Sequence, residues 1–326
     1  MPLSNIIVYW LHYCFYTILI LCIPFIYLPL LFELNPFAIA YLLWYIWDFQ
    51  TCDYGSRPFR WLRQLSFWSY FTQSFPLHLI RSTPLSSDRN YIFACHPHGI
   101  FSISTVHSII TDGQQFSQLF PNLQPYFVTI SQQFWLPFYR EILLAFGFCS
   151  AKQKSIEYIL KQKPNSNVGG NIVAIMIGGT NEAIESFHSN RLILIVKKRR
   201  GFLRLALKNR ASIVPVISFG ENNLYHTVNL PDLPSSSSLI LNYIQKTFKS
   251  IIGFPLKIFY GNLLFFPYRK PVWTVVGEPI LIDEKISEPT KHQIDQLQEQ
   301  YINALQRLYE QYKHQYNHGN IELVIK

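Results

Sequence analysis

Three apolar runs in this chain each end in a short turn that combines glycine with chemistry-bearing side chains. Tyr91–Cys95 leads into His96-Pro97-His98-Gly99, Asn171–Ile177 into Gly178-Gly179-Thr180-Asn181-Glu182, and Ile213–Ser218 into Phe219-Gly220-Glu221-Asn222. Short runs rich in β-branched and aromatic residues and bounded by turn formers read as buried strands. Glycine lets a substrate or another backbone approach closely where such a strand ends. Ligands of α/β sheets commonly sit at strand ends, so the recurrence points to an α/β fold with a site built from these turns.

The histidine turn alone supports several readings. Pro97 fixes its own φ and biases His96 towards an extended conformation, while Gly99 permits a tight turn. Two imidazoles held at a strand end suit proton transfer near neutral pH. A structural turn in which both rings bond nearby carbonyls is the bland alternative. A metal site needs a third ligand beyond His-x-His, and no HExxH or CxxC partner accompanies it. Cys95 lies inside the apolar run and reads as a small core residue rather than a nucleophile.

The rest of the chain from Tyr91 onward alternates between strand and helix patterns. Pro125–Ser131 reads as a strand, Leu136–Gly147 and Ser155–Lys163 as helices, and Leu192–Val196 as a strand. A helix over Phe202–Arg210 lines up Arg200, Arg204 and Lys208 at i, i+4 spacing, a strip that suits phosphate groups or a solvated face. Pro231–Ser238 reads as a loop, Leu239–Ile252 as an amphipathic helix and Val272–Val276 as a strand. From Thr290 to about His318 a helix is expected, with Ile294, Leu297, Tyr301, Leu305, Leu308 and Tyr312 forming an apolar stripe. Core packing is the first reading of that stripe, and contact with a membrane is the second.

Ahead of this region the chain is of another kind. Residues 1–32 contain no charged side chain, and Ile6–Phe32 exceeds the roughly 20 helical residues needed to cross a bilayer. Pro24 and Pro29 kink or break that run; Glu33, Asn35 and Pro36 form a turn, and a second apolar run, Phe37–Trp47, ends at Asp48. The pair reads as a membrane hairpin over residues 1–54, followed by a catalytic domain over 55–326. Tyr9, Trp10, Trp44 and Trp47 suit an interfacial belt, and Arg57, Arg60 and Arg63 place the following flank in the cytosol. One span or two are both compatible with the sequence. Phe59–Ile80 reads either as a membrane-surface segment or as a helix packed on the domain.

Composition narrows the partners. The chain is 49% hydrophobic and only 14% charged, with a net charge of +9, which favours anionic lipid surfaces or phosphorylated ligands. No nucleic-acid-binding motif is present, so nucleic acid is not an expected partner. Five scattered cysteines (Cys14, Cys22, Cys52, Cys95, Cys149) form no disulfide framework and suit a reducing compartment. No N-x-S/T sequon occurs, in keeping with a cytosolic face.

The ordered blocks HPHGI (96–100), GGTNE (178–182), RRGF (199–202), VPVISFGEN (214–222), PYRKP (267–271) and VVGEPI (275–280) give a specific signature. From about Arg89 to the C-terminus the chain resembles the diacylglycerol acyltransferase type 2 family, which also includes monoacylglycerol and wax-alcohol acyltransferases. The resemblance implies a mixed sheet flanked by helices, similar to the glycerolipid acyltransferases, and acyl transfer from acyl-CoA to a lipid hydroxyl. It further implies a location at the endoplasmic reticulum membrane or lipid droplet, with the catalytic domain cytosolic. The His-x4-Asp dyad of the more distant glycerolipid acyltransferases is absent, because Ile100 and Ser102 stand four residues after His96 and His98. Thr180 and Asn181 replace small residues, Phe101–Ser104 replace glycines, and the segment around Tyr260–Tyr268 is shorter than in many members. These departures bear on the shape of the acceptor pocket.

The expected mechanism is direct transfer without a covalent enzyme intermediate. His98 is the expected general base and His96 its orienting partner, with the reverse assignment left open. Glu182, or alternatively Glu221, is expected to hold the histidine tautomer. Backbone N–H groups at Gly178 and Gly179, or Asn222, are candidates for stabilising the oxyanion. Arg199, Arg200 and Arg204 are candidates for the phosphates of CoA. No cofactor or metal is expected; acyl-CoA is the co-substrate and a neutral lipid the acceptor, with diacylglycerol ahead of monoacylglycerol, a long-chain alcohol or retinol. Monomer and homo-oligomer are both left open. A hydrolase would share the histidines, but no G-x-S-x-G elbow is present. A silent lipid-binding membrane protein would not need the three turns intact.

Overall fold

The computed structural model describes residues 36–162, 169–185, 191–227, 259–262 and 266–326. The chain starts with helix α1 (Pro36–Asp48), a 3-10 turn (Phe49–Asp53), and helices α2 (Arg60–Arg63) and α3 (Phe67–Ser74). Strands β1 (Leu77–Arg81) and β2 (Tyr91–His96) come next, then helices α4 (Ile103–Ile110) and α5 (Phe116–Leu119) and strand β3 (Gln124–Thr129). Helix α6 (Tyr139–Phe146), strand β4 (Phe148–Ser150), helix α7 (Gln153–Lys161), strand β5 (Asn171–Met176), helix α8 (Gly179–Glu185) and strand β6 (Arg191–Leu194) follow. The remainder comprises helix α9 (Gly201–Asn209), strand β7 (Ser212–Phe219), the short strands β8 (His226–Thr227) and β9 (Phe259–Tyr260), strand β10 (Val272–Val276), helix α10 (Lys291–Tyr312) and strand β11 (Glu322–Ile325).

The main sheet has seven strands in the order β1-β10-β7-β2-β5-β3-β4. Every pairing is parallel except that of β10 with β7, so the sheet is mixed, as expected. Strand β2 lies between β7 and β5, with Cys95 opposite both Val216 and Met176. The three glycine-bearing turns therefore emerge side by side from one edge of the sheet, with the histidine turn in the middle.

The alternation of side chains along β2 assigns its two faces. Ile92 and Ala94 join a core with residues of α7, α9 and α10, including Ile156, Leu203 and Leu305. Tyr91, Phe93 and Cys95 join a second core with Trp68, Ile109, Ile110 and Phe116 from the opposite layer of helices. Helices thus cover both faces of a largely parallel sheet. By the same parity His96 falls on the side of Ile92 and Ala94, facing α10.

Helix α10 begins with a capping box in which Thr290 and Gln293 satisfy each other's backbone groups. Its stripe is core: Ile294, Leu297, Tyr301, Leu305 and Leu308 are buried. Tyr312 is half-buried against the same core. Strand β6, expected over Leu192–Val196, lies outside the main sheet and pairs in parallel with the C-terminal β11. The pattern of Leu192–Val196 gives the strand but not this distant partner. The glycine turn after β5 departs from expectation, because helix α8 starts at Gly179 and carries Glu182 in its first turn.

Helix α1 is tied firmly to the domain. Asp48, which is buried, bonds Arg57 at 2.6 Å and the fully buried Arg140 at 2.8 Å. Tyr41 stacks on Phe138 with ring centroids 4.2 Å apart. Ile39, Leu43, Ile46 and Trp47 of the same helix are exposed. Within Phe59–Ile80, Trp68, Phe71 and Phe75 pack into the domain, while Phe59, Trp61, Leu65 and Tyr70 stay exposed. Among the described residues no helix is long and apolar enough to cross a membrane. The first arm of the expected hairpin, Ile6–Phe32, and the expected helix Leu239–Ile252 with its preceding loop lie outside the described residues.

Candidate active site

At the middle of the strand-end edge the two histidines have different surroundings. His96 is fully buried and its peptide bond to Pro97 is cis. Its Nδ1 lies 3.0 Å from Oε2 and 3.2 Å from Oε1 of Glu182, and its Nε2 lies 2.9 Å from the Tyr301 hydroxyl. Glu182 has no exposed surface. Its Oε1 also accepts the His98 peptide N–H at 2.9 Å, and its Oε2 the Ile195 N–H at 2.9 Å. With both oxygens already accepting, Nδ1 of His96 is the donor to the carboxylate. Nε2 is then left to accept the Tyr301 O–H. Both nitrogens of His96 are committed inside the protein.

His98 is half-buried at the mouth of the turn. Its Nδ1 donates to the Gly99 carbonyl at 3.0 Å, which fixes the tautomer and leaves Nε2 as the basic nitrogen. Among the described residues Nε2 has no hydrogen-bond partner. Burial pushes the pKa of His98 below the ordinary imidazole value, while the Gly99 carbonyl and the nearby Glu182 charge pull the other way. A neutral imidazole with an unoccupied Nε2 is the protonation state a general base needs. Of the two rings, only that of His98 has a nitrogen with no hydrogen-bond partner among the described residues.

Both acids expected at the site are buried, and each occupies the space left by a glycine. A Cβ added at Gly178 would lie 2.1 Å from Oε2 of Glu182, and one at Gly99 would lie 2.7 Å from Cγ of Glu221. Gly99 also has φ of +58°, a conformation side chains resist. Glu221 accepts the backbone N–H groups of Ile103 at 2.8 Å and Ser104 at 3.0 Å, together with the Ser104 hydroxyl. It thereby caps the start of α4, which has no side-chain cap of its own. Burial pushes Glu221 up to about 7, against the pull of these donors. Glu221 is thus bonded to α4, and neither histidine ring is among the partners it binds through the described hydrogen bonds.

The remaining expected residues divide into a near and a far group. Gly178 is buried, and its carbonyl accepts from Arg199 at 3.0 Å. Gly179, with φ of +57°, is half-buried and opens α8. Asn222 is half-buried directly after Glu221. Arg200 pairs with Asp295 of α10 at 2.8 Å, and Arg204 is exposed one turn further along α9. The structure therefore brings Arg199 to the turn and leaves Arg200 and Arg204 on the outer surface. Cys95 is fully buried, and burial pushes its thiol up, out of the nucleophilic range. Among the described residues no group of three or more His, Cys, Asp or Glu side chains is arranged to hold a metal ion.

Two residues at the centre of this network carry more than the sequence assigned to them. In the sequence Tyr301 is one member of an apolar stripe, and Ile195 one residue of a strand. The parity of β2, which turns His96 towards α10, was the available signal for a polar partner on that helix.

The geometry can be set beside known proteins. The family model described as diacylglycerol acyltransferase matches residues 25–326. Diacylglycerol O-acyltransferase 2 of Danio rerio is 38% identical over 283 residues, covering 85% of this chain and 75% of its own. Diacylglycerol O-acyltransferase 2B of Umbelopsis ramanniana is 37% identical over 329 residues, covering 98% of this chain and 89% of its own. 2-Acylglycerol O-acyltransferase 1 of Bos taurus is 35% identical over 293 residues, covering 88% and 84% respectively. No solved structure matches the chain.

Proposed function

The chain belongs to the diacylglycerol acyltransferase family of acyltransferase enzymes, and from that premise we propose that it moves a fatty acyl group from acyl-CoA to the hydroxyl of diacylglycerol, forming triacylglycerol. The observation that carries the mechanism is the tautomer of His98, whose Nδ1–H is held by the Gly99 carbonyl. Nε2 takes the proton of the acceptor hydroxyl as its oxygen attacks the thioester carbonyl. The tetrahedral intermediate collapses with cleavage of the C–S bond, and the proton on His98 passes to the departing CoA sulfur. A thiolate is a good leaving group, so no stronger acid is required. No covalent acyl-enzyme forms, in keeping with the buried Cys95.

The negative Glu182 carboxylate behind the His98 peptide favours the imidazolium that forms during transfer. Gly179 and Asn222 are our candidates for donors to the developing oxyanion, since both lie half-buried on the same edge. Of the three arginines considered for the phosphates of CoA, we retain Arg200 and Arg204 at the surface, because Arg199 is engaged by the Gly178 carbonyl. We locate the enzyme at the endoplasmic reticulum membrane, or on lipid droplets, with the catalytic domain in the cytosol. The exposed apolar face of α1 and the uncharged run before it support that placement. Neutral-lipid substrates dissolve in the bilayer, and a site tethered to it meets them there.

A second acceptor, 2-acylglycerol, is favoured by one observation: relatives named for that substrate match with similar identity and coverage. The test uses microsomes from a host lacking neutral-lipid synthesis, supplied with labelled oleoyl-CoA and each acceptor in turn. Labelled triacylglycerol from added diacylglycerol supports the proposal. Product from 2-acylglycerol alone moves the enzyme to the second acceptor. Absence of acylation of any acceptor by well-expressed protein overturns the reading.

A further inference from the structure

We propose that Tyr301, on α10, is a positioning residue for acyl transfer, acting on His98 through His96 and Glu182. The inference rests on the reading of His98 as the base. It starts from a continuous and fully buried line of hydrogen bonds. The Tyr301 hydroxyl lies 2.9 Å from Nε2 of His96, and Nδ1 of His96 lies 3.0 Å from Glu182. Glu182 in turn holds the His98 peptide N–H at 2.9 Å. Tyr301, His96 and Glu182 all have 0% exposure, so none of these bonds is exchangeable with water. The Ala94 carbonyl lies 3.4 Å from the same hydroxyl and is the weaker of its two acceptors.

The proton order gives Tyr301 its role. Its O–H donates to Nε2, which obliges His96 to carry its proton on Nδ1 and donate to Glu182. A phenol donating to Nε2 withdraws density from the ring and strengthens the Nδ1–H donor. Tyr301 thus sets how much of the Glu182 charge remains to act on His98. The titratable or charged groups around this line come from several elements: Cys95 of β2, Glu182 of α8, Arg199 at the Gly178 carbonyl and Glu221 against Gly99. Burial raises the phenol of Tyr301 well above its ordinary value, so it stays protonated and remains a donor throughout the working range.

Tyr301→Phe removes the hydroxyl and keeps the ring. Its kcat is expected to fall about ten-fold, the rate equivalent of one net hydrogen bond lost from a line that reaches His98 through two other residues, with KM for acyl-CoA and acceptor unchanged within about two-fold. The acid limb of kcat/KM should move up by a few tenths of a pH unit, because a weaker Nδ1–H donor leaves more charge on Glu182. Replacing Tyr301 with 3-fluorotyrosine keeps the shape, strengthens the donor, and should move the limb down. Tyr309→Phe is the control: Tyr309 is equally buried on α10, but its hydroxyl bonds the Ile321 carbonyl at 2.8 Å. It should lose comparable thermal stability and keep the wild-type kcat and limb.

Wild-type kcat and an unmoved limb in Tyr301→Phe, corrected for folded protein, would overturn the proposal. Should that variant not fold, an unmoved limb in the fluorotyrosine protein would do the same. His98→Ala, assayed alongside, separates the two levels. An active His98→Ala removes the base assignment and this inference together, whereas an inactive one beside unaffected Tyr301 variants removes this inference alone.

Discussion

Glu182 and His96 form a fully buried pair, the carboxylate 3.0 Å from Nδ1, although 86 residues separate them in the chain. The pair exists because β2 and β5 are neighbours in the sheet and release their turns at the same edge. Its consequence is a division of labour between two histidines only two residues apart. Both ring nitrogens of His96 are held by internal bonds, whereas His98 is half-buried and its Nε2 has no hydrogen-bond partner among the described residues.

The pH profile should report His98. Its pKa is lowered by burial, so the neutral base persists to lower pH than an ordinary imidazole allows. The kcat/KM for acyl transfer is expected to be flat above about pH 6.5 and to fall on acidification with an apparent pKa below that value. Initial rates across pH 5 to 8, with stability checked at each point, measure it. A limb above 6.5 would mean that another group is titrating.

Gly178 and Gly99 should be intolerant of even one methyl group. Alanine at 178 would drive its Cβ into the Glu182 carboxylate, and alanine at 99 would meet Glu221 in a left-handed conformation. Each is expected to cost on the order of 1–3 kcal/mol in stability and most of the activity. Gly201 is the contrast, since nothing lies within 4 Å of a Cβ built there. As the first residue of α9, Gly201→Ala should be neutral, or stabilising by up to roughly 1 kcal/mol. Thermal melts and specific activities of the three variants decide the matter.

Glu221 predicts a particular sign of pH-dependent stability. Its folded pKa of about 7 lies above the ordinary carboxylate value, so the folded state holds this proton more tightly than the unfolded one. The stability it contributes is fully present below the unfolded pKa and is lost as pH rises through about 7. His98, with a lowered value, contributes with the opposite sign, so the comparison must be made against a variant. Glu221→Gln should flatten the decline between pH 5 and pH 8 relative to wild type. Denaturant melts at each pH test this, and parallel curves for the two proteins would refute it.

Charge reversal on α9 tests the assignment of the CoA phosphates. Arg204→Glu, alone or with Arg200→Glu, should raise KM for acyl-CoA several-fold and leave kcat nearly unchanged. The effect should shrink at high salt, because both side chains are at the surface. Unaltered KM in the double variant would send the phosphates elsewhere.

The strands that build the site were legible because each is a short, mostly apolar run with a glycine at or just after its end. Asn171–Ile177, Ile213–Ser218 and Val272–Val276 all lie within a residue of the strands observed. Their spatial order was not legible, since pairing between β2 and its neighbours is set by contacts far apart in sequence. The partnership of β6 with β11 escaped for the same reason. Glu182 read as an acid on a glycine turn because Gly178-Gly179 resembles a turn more than the start of a helix. Its burial follows from the space at Gly178, which only the folded chain reveals. Tyr301 fell into a helical stripe whose periodicity reports burial but not where a hydroxyl points. His96, His98 and Glu182 were visible as candidates in the sequence, whereas Tyr301 and Ile195, which bond His96 and Glu182, were not.

The role of His98 as general base is tested by the activity of His98→Ala beside wild type, in microsomes supplied with labelled acyl-CoA and an acylglycerol acceptor. A folded, membrane-recovered His98→Ala protein is expected, with a transfer rate lowered by about 10²–10⁴-fold, the usual contribution of a general base. A His98→Ala protein that transfers acyl groups at close to the wild-type rate would contradict that role.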